Sequence, residues 1–150
     1  MKLYRGSSNL TKVIYPETLV PDDLEKLKSA GIDARKAIWA TSSKTHAIIF
    51  ALFSGQATFQ IDTGTDGSGK IEEIIITLSK EYLNKFEKED LNKKAYLYEF
   101  DSKDFVQVNQ LEWVCLEDTT NFTYKTNTKS QFYEILKKDE LVKFIRISLE

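Results

Sequence analysis

The sequence has one cysteine, Cys115, and one histidine, His46. A single cysteine excludes an internal disulfide, and the two residues supply too few ligands for a zinc or di-iron site built on thiolate or imidazole. We therefore expect no metal. No apolar run reaches the roughly 18 residues of a membrane-spanning helix, and the first ten residues lack the apolar core of a signal peptide. We expect a cytoplasmic protein with no membrane association.

Neither sign of charge predominates. The 21 Lys and Arg residues nearly balance the 23 Asp and Glu residues, which gives a formal net charge of −2. Affinity for a phosphate backbone needs a concentrated basic surface, so this balance excludes generic nucleic-acid binding.

The composition is that of a globular chain, with 41% hydrophobic and 12% aromatic residues. At 150 residues the chain can bury roughly 70% of its surface on folding, which is enough for a self-sufficient core. No internal repeat, low-complexity tract or linker divides it. We expect a single domain over residues 1–150.

Hydrophobic periodicity predicts an α+β fold, with three to four helices packed on a mostly antiparallel twisted sheet. The continuous apolar run over residues 47–53 is typical of a helix buried on all sides, which we expect at the centre of the core. The predicted helices are 21–30, 44–54, 79–89 and 131–138; the predicted strands are 2–5 with 10–15 as an extension, 37–40, 56–62, 71–79, 95–100, 105–108, 112–116, 119–125 and 142–149.

Two short motifs match enzyme signatures only in part. Residues 64–70 (GTDGSGK) have the letters of a phosphate-binding loop, but Ile71 stands where Ser or Thr should reach magnesium, and a strand follows instead of a helix. We interpret the segment as a glycine-rich hairpin tip. Residues 62–64 (DTG) resemble half of an aspartic protease site, which requires two such carboxylates.

Neither the histidine nor the cysteine stands in a catalytic pattern. His46 lies near the start of the predicted buried helix, where an imidazole facing polar neighbours is the favoured interpretation and a general base the alternative. Cys115 lies in a predicted strand beside Trp113 and Val114 and has no second histidine to activate it. We expect Cys115 to be a small buried apolar residue.

Three separated segments place polar groups at the ends of apolar strands: residues 3–7 (LYRGS), 39–43 (WATSS) and 110–113 (QLEW). Taken in this order, with an alanine-containing apolar helix after the second, they resemble the arginine–serine–glutamate branch of the ADP-ribosyltransferase fold. The resemblance covers residues 3–117 as an ordered set of short motifs. It implies an ADP-ribosyltransferase-like fold and NAD as the substrate that donates ADP-ribose.

The resemblance implies binding roles for residues of the first two segments. Arg5 would pair with a phosphate through its planar guanidinium, and Gly6 would let the backbone approach the nicotinamide amide. Thr41 and Ser43 would place hydroxyls on the nicotinamide ribose. An aromatic ring would stack on a base, with Tyr4, Trp39 and Phe50 as candidates.

The resemblance implies catalytic roles for the third segment. Glu112 would bind a ribose hydroxyl and stabilise positive charge as the bond to nicotinamide breaks. Gln110 would lie in the loop that meets the acceptor, which could be a protein, a nucleic acid or a small molecule. Glu99 is a competing carboxylate, and the hydroxyl triplet departs from a cleaner serine–threonine–serine pattern.

Two functional hypotheses follow. The first is an ADP-ribosyltransferase or NAD glycohydrolase, which requires Glu112 to lie within about 15 Å of Tyr4 and Arg5, the reach of one bound dinucleotide. The second is a catalytically inactive interaction module, of the kind that phages and mobile elements encode. It would bind a partner through a sheet edge or an aromatic patch, for which seven tyrosines and nine phenylalanines are available.

Overall fold

Two β-sheets and four α-helices form the described part of the chain, residues 1–55 and 59–148 of a computed structural model. This architecture confirms the predicted α+β class and the mostly antiparallel pairing. In chain order the elements are β1 (Lys2–Ser7), β2 (Glu17–Thr18), α1 (Pro21–Ser29), β3 (Lys36–Thr41), α2 (Lys44–Phe53), β4 (Gln60–Thr65), β5 (Ile71–Ser79), α3 (Lys80–Lys85) with a π-helical continuation (Phe86–Asp90), β6 (Lys94–Asp101), a 3₁₀ turn (Ser102–Asp104), β7 (Val106–Gln107), β8 (Glu112–Cys115), β9 (Thr123–Thr128), α4 (Lys129–Lys138) and β10 (Val142–Ile147).

The larger sheet has the strand order β7-β8-β3-β1-β6-β9, and β2 pairs with β3. Its neighbouring strands are antiparallel. β1 and β6 pair along six residues, whereas the one register pair between β1 and β3 in the described chain joins Tyr4 to Thr41. The two strands therefore separate beyond Tyr4.

The smaller sheet has the order β10-β5-β4. β4 and β5 form the predicted antiparallel hairpin, while β10 joins the other edge of β5 in parallel. Alternate residues of β5, Ile74, Ile76 and Leu78, are buried and face the core.

Helix α2 lies between the two sheets. Its apolar run is buried as predicted except at Phe50, which is 43% exposed, so the helix is not buried on all sides. The Ser43 side chain caps its first turn by accepting a hydrogen bond from the His46 amide. The ring of Phe53 is fully buried at the helix end, with ring centroids of Phe86, Tyr133 and Phe144 5.0–6.4 Å away. The opposite face of the larger sheet buries a second cluster around Leu3, Tyr98 and Phe100.

Several boundaries differ from the predicted ones. Residues 10–15 do not extend β1, because the main chain of Ile14 instead pairs in an isolated bridge with Thr119. β4 continues through Thr65, so the turn covers residues 66–70 and the DTG letters lie within a strand. The sequence prediction missed β2, which lies in the proline-containing loop. β9 begins four residues later than predicted and ends at Thr128.

Some predictions lie outside the described residues, namely the start of the fourth strand at 56–58, with Ala57 on its apolar face, and Leu149 at the end of the last strand. None of the described helices is long and apolar enough to cross a membrane. Cys115 is buried, as expected.

Candidate functional site

The pairing of β1 with β3 and of β3 with β8 places residues of all three predicted segments side by side. Tyr4 of β1 pairs with Thr41 of β3, and Thr41 pairs with Glu112 of β8. Directly paired residues of an antiparallel sheet point to the same face, and adjacent strands lie about 4.8 Å apart, so the Tyr4 and Glu112 backbones are about 10 Å apart. This separation is within the limit that the enzymatic hypothesis sets.

A cavity of about 830 Å³ opens on this face, within the roughly 300–1,000 Å³ that is usual for small-molecule sites. Its walls come from β1, β3, helix α2 and strand β4 of the smaller sheet, with the loop before β8 at one side. Six of the eight predicted site residues line it: Tyr4, Arg5, Gly6, Thr41, Phe50 and Glu112. Ser43 and Gln110 are not among the described residues that line the cavity.

Arg5 fills the space where β1 and β3 separate. Its Nη1 donates to the main-chain oxygen of Trp39 over 3.1 Å, and its Nη2 donates to Glu17 Oε1 over 3.3 Å. Burial lowers the pKa of the Arg5 guanidinium, and the Glu17 carboxylate opposes that shift. A guanidinium has five N–H donors in one plane, so these two bonds do not use all of its donors.

Gly6 has a structural role in addition to its place on the cavity wall. A Cβ there would collide with the main-chain oxygen of Ala47 and lie 2.6 Å from the Ala51 nitrogen. The missing side chain therefore lets helix α2 lie directly on β1. The side-chain position of Gly6 faces this helix, so the open approach to nicotinamide that the resemblance implied is not available from that direction.

A chain of hydrogen bonds joins the end of β3 to the smaller sheet. The Ser43 amide donates to Thr41 Oγ1 over 3.0 Å, and Ser43 Oγ lies 2.7 Å from His46 Nδ1. On the other side of the ring, His46 Nε2 lies 2.8 Å from Thr63 Oγ1 of β4. Ser43 thus caps α2 and holds the imidazole, a different position from the ribose contact that the resemblance implied.

The polar surroundings expected for His46 are confirmed, yet His46 and Thr63 also line the cavity. Burial lowers the pKa of the imidazole below its usual 6.5, and the Glu112 carboxylate opposes that shift. The ring is therefore neutral at pH 7 and bridges two hydroxyl groups.

Glu112 is held from two sides. Its Oε1 accepts from Lys26 Nζ over 3.0 Å and from Asn109 Nδ2 over 2.9 Å. Lys26 also lies 5.5 Å from the centroid of the Trp39 ring, which adds a cation–π contact. These contacts fix the carboxylate at the edge of the cavity while its side chain remains 36% exposed.

Glu99, the competing carboxylate, lies in the same row as Tyr4 but on the far side of β1 from Glu112. Its Oε1 lies 2.7 Å from Lys2 Nζ, and it is not among the described residues that line the cavity. The geometry favours Glu112 over Glu99 for any chemistry in the cavity.

The cavity is acidic and aromatic. Its described lining has one cationic side chain, Arg5, against three carboxylates, Glu17, Asp23 and Glu112. The rings of Tyr4, Trp39 and Phe50 supply flat apolar surface, and Phe50 is 43% exposed. This arrangement suits a ligand with an aromatic, positively polarised part and a phosphate group within reach of Arg5.

Sequence reasoning missed the cavity positions of Asn109 and Thr63, and it gave His46 a functional role only as the alternative interpretation. Asn109 directly precedes the QLEW segment, and His46 is the one histidine of the chain, so both had a signal. Thr63 lay in the DTG letters, but these suggested a different chemistry, and the predicted strand ended at Asp62. Among the residues that the structure describes, no group of three or more His, Cys, Asp and Glu side chains could hold a metal ion.

Comparison of the chain with protein-family models, with curated proteins and with solved structures gives no match in any of the three.

Proposed function

We propose that the protein cleaves the bond between nicotinamide and ribose in NAD, as an ADP-ribosyltransferase or an NAD glycohydrolase. The observation that carries this proposal is the convergence of three distant segments on one cavity. Arg5, Thr41 and Glu112, which the sequence singled out before any geometry, all line it.

The lining residues fit such a substrate. Arg5 would hold a phosphate through the guanidinium donors that remain beyond Trp39 and Glu17. An aromatic ring, Tyr4, Trp39 or Phe50, would lie against the nicotinamide, whose ring is cationic in NAD. Glu17 pairs with Arg5 and Glu112 with Lys26, which leaves Asp23 as the excess carboxylate that favours that cationic end.

Glu112 would stabilise the positive charge that develops on the ribose during the reaction. When nicotinamide leaves with the electron pair of the broken bond, positive charge develops on the ribose, and a fixed carboxylate is most effective at that moment. Lys26 and Asn109 keep Glu112 in place, so little reorganisation is needed. The incoming nucleophile, water or an acceptor group, forms the new bond to ribose and gives up its proton.

The test is release of nicotinamide from NAD by the purified protein, together with the change in melting temperature that NAD causes. We expect the wild-type protein to release nicotinamide and Glu112→Gln to lower the rate by about 10²-fold or more. Glu99→Gln is the matched control, because it removes a carboxylate from the same row but outside the cavity. Equal loss in both variants, or no release and no shift by the wild-type protein, would reject the proposal.

The interaction-module hypothesis needs either an exposed sheet edge or an exposed aromatic patch. The exposed aromatic side chains in the described part of the chain are Tyr15, Phe50 and Tyr124, which come from three separate segments, and Phe50 belongs to the cavity itself. A wild-type protein that neither binds nor cleaves NAD would favour the interaction module.

A further inference from the structure

The imidazole of His46 connects two hydroxyl groups, one of which belongs to a residue of the cavity wall. Its Nδ1 lies 2.7 Å from Ser43 Oγ, and its Nε2 lies 2.8 Å from Thr63 Oγ1. His46 and Thr63 line the cavity, whereas Ser43 is not among the described residues that do. A proton that arrives at the Thr63 hydroxyl can therefore pass to the ring through one existing hydrogen bond.

These hydrogen bonds begin beside the carboxylate that the proposed reaction uses. Thr41 pairs directly with Glu112, and Thr41 Oγ1 accepts from the Ser43 amide over 3.0 Å. Burial lowers the pKa of the His46 imidazole, and the Glu112 carboxylate opposes that shift, as a nearby opposite charge does. The same attraction would stabilise an imidazolium formed while the reaction proceeds.

The reaction releases a proton for which the cavity needs an acceptor, because the nucleophile loses it on bonding to ribose. Among the described residues of the lining, the candidates are the carboxylates Glu17, Asp23 and Glu112 and the imidazole of His46. Glu17 and Glu112 are already in ion pairs. The ring is neutral at pH 7, with a pKa below its usual 6.5, and a base works best when its pKa lies near the working pH.

We propose that Thr63 and His46 form a proton relay that accepts the proton of the incoming nucleophile. In the tautomer that the relay requires, Ser43 Oγ accepts from Nδ1–H as well as from the His46 amide, and Thr63 donates its hydroxyl proton to Nε2. The proposal rests on the NAD-cleaving function and adds to it the residues that receive the proton.

The step balances as follows. The nucleophile forms its bond to ribose as nicotinamide leaves with the electron pair of the broken bond. The proton of the nucleophile passes to Thr63 Oγ1, while Thr63 gives its own proton to His46 Nε2. The resulting imidazolium then returns one proton to solvent.

The kinetic test compares nicotinamide release by Thr63→Val, which removes the hydroxyl, and by Thr63→Ser, which keeps it. We expect Thr63→Val to lower kcat by about 10²-fold, with KM for NAD changed less than about twofold, and Thr63→Ser to recover most of that loss. Thr65→Val is the matched control, because Thr65 ends the same strand but is not among the described residues of the lining, and it should keep the wild-type kcat. Equal rates for Thr63→Val and Thr63→Ser would overturn the relay.

The pH profile of kcat separates a proton acceptor from a structural contact. Uncharged hydroxyls meet the His46 ring from the residue before α2 and from β4, and Glu112 of β8 is the charged group in the described chain that shifts its pKa. Arg5 and Tyr4 line the cavity from β1. Below the pKa of His46, the wild-type kcat should fall by about tenfold per pH unit, because a protonated ring accepts no further proton.

His46→Gln keeps a hydrogen-bonding side chain that does not titrate. It should abolish the acidic limb of the profile and lower kcat at pH 7.5 by about 10²-fold. Melting curves of each variant show that the compared proteins are folded. An acidic limb that persists in His46→Gln would assign the proton to another group and overturn the relay.

Nitrogen NMR of the imidazole tests the relay without turnover. His46 is the one histidine of the chain, so the imidazole signals belong to it. At pH 7 the relay requires a proton on Nδ1 and none on Nε2, and the opposite tautomer rejects it even in an active protein. Release of nicotinamide that is insensitive to Thr63→Val and His46→Gln rejects the relay alone, whereas a wild-type protein that releases none rejects the NAD-cleaving function and the relay with it.

Discussion

Burial, hydrogen bonding and a neighbouring charge all act on the imidazole of His46. It is 8% exposed, and hydroxyl groups from Ser43 and Thr63 lie at its two ring nitrogens. Glu112 lies close enough to stabilise the protonated ring, but burial outweighs that attraction and the pKa falls. The folded protein therefore binds a proton at His46 less readily than the unfolded chain does.

This difference predicts how stability depends on pH. As the pH falls through about 6.5 the unfolded chain gains a proton first, so the free energy of unfolding decreases, by at most about 1.4 kcal/mol per pH unit, until the pH reaches the lower pKa of the folded state. His46→Gln removes the titrating group and should flatten this slope. Urea denaturation between about pH 7.5 and 5.5 measures it; an unchanged slope in the variant would show that another group titrates there.

At the scale of elements, the contact of helix α2 with β1 determines the shape of the cavity. Gly6 has no side chain, and the Ala47 and Ala51 main chain occupies the space that a Cβ would need. Cavity residues lie on both elements, with Arg5 on the strand and His46 and Phe50 on the helix. Separating the two elements would therefore change the site as well as the core.

Gly6→Ala should destabilise the protein by about 1–3 kcal/mol, the usual cost of forcing a methyl group into packed structure. It should also weaken the thermal shift with NAD, because the helix can relieve the clash only by moving away from β1. Urea denaturation and melting with and without NAD measure the two effects. Gly67→Ala, with open space around the added methyl group, should stay within about 0.5 kcal/mol of the wild type. Equal stability of the two variants would contradict the close contact.

Elements with strong periodicity could be predicted from the sequence, and those fixed by distant partners could not. The apolar run of α2 and the alternation in β4 and β5 are local signals, so all three elements were predicted, although β4 begins after residue 59 and continues three residues beyond its predicted end. β2 has two residues and exists because it pairs with β3, which no local pattern encodes. Residues 10–15 have strand-like composition, but the loop is held from elsewhere, by the Tyr98 hydroxyl at Asn9 and Thr11.

In the site, too, the residue types could be predicted from local patterns, whereas contacts between distant segments could not. The residue types of Arg5, Thr41 and Glu112 suited the predicted chemistry, and their strands bring them to one cavity. The side chain of Ser43 can cap a helix or contact a ligand with the same hydroxyl, and only the three-dimensional placement of His46 decides between the two. Gln110 lies next to Gly69 through a contact between the two sheets, which sequence spacing does not indicate.

At the scale of the molecule, one core joins both sheets. The cluster around α2 contains Ile74 and Ile76 of the smaller sheet together with Ala95 and Leu97 of the larger one. Phe53 is fully buried in this cluster. Its ring contacts come from α3 and its π-helical continuation, from α4, from β10 and from the residue before β4: Tyr82, Phe86, Tyr133, Phe144 and Phe59. We therefore expect the two sheets to unfold together.

The substitution Phe53→Ala tests whether the two sheets unfold together, because both tryptophans lie in the larger sheet and report on its unfolding. Trp39 and Trp113 lie in β3 and β8 of the larger sheet and belong to clusters that do not contain Phe53. The substitution should cost about 3–5 kcal/mol, a large part of the 5–15 kcal/mol that stabilises a typical domain. In one cooperative unit, the urea midpoints from tryptophan fluorescence and from far-ultraviolet circular dichroism fall together.

The matched control is Phe50→Ala on the same helix, where the ring is 43% exposed and its removal should cost clearly less. A fluorescence midpoint that stays at the wild-type value while the dichroism midpoint falls would mean that the larger sheet keeps its structure without the α2 core. The cavity, whose walls come from both sheets, would then lose one wall before the other, and NAD should protect the smaller sheet selectively from unfolding. Coincident midpoints instead make the cavity part of a single folding unit, in which NAD stabilises both sheets equally.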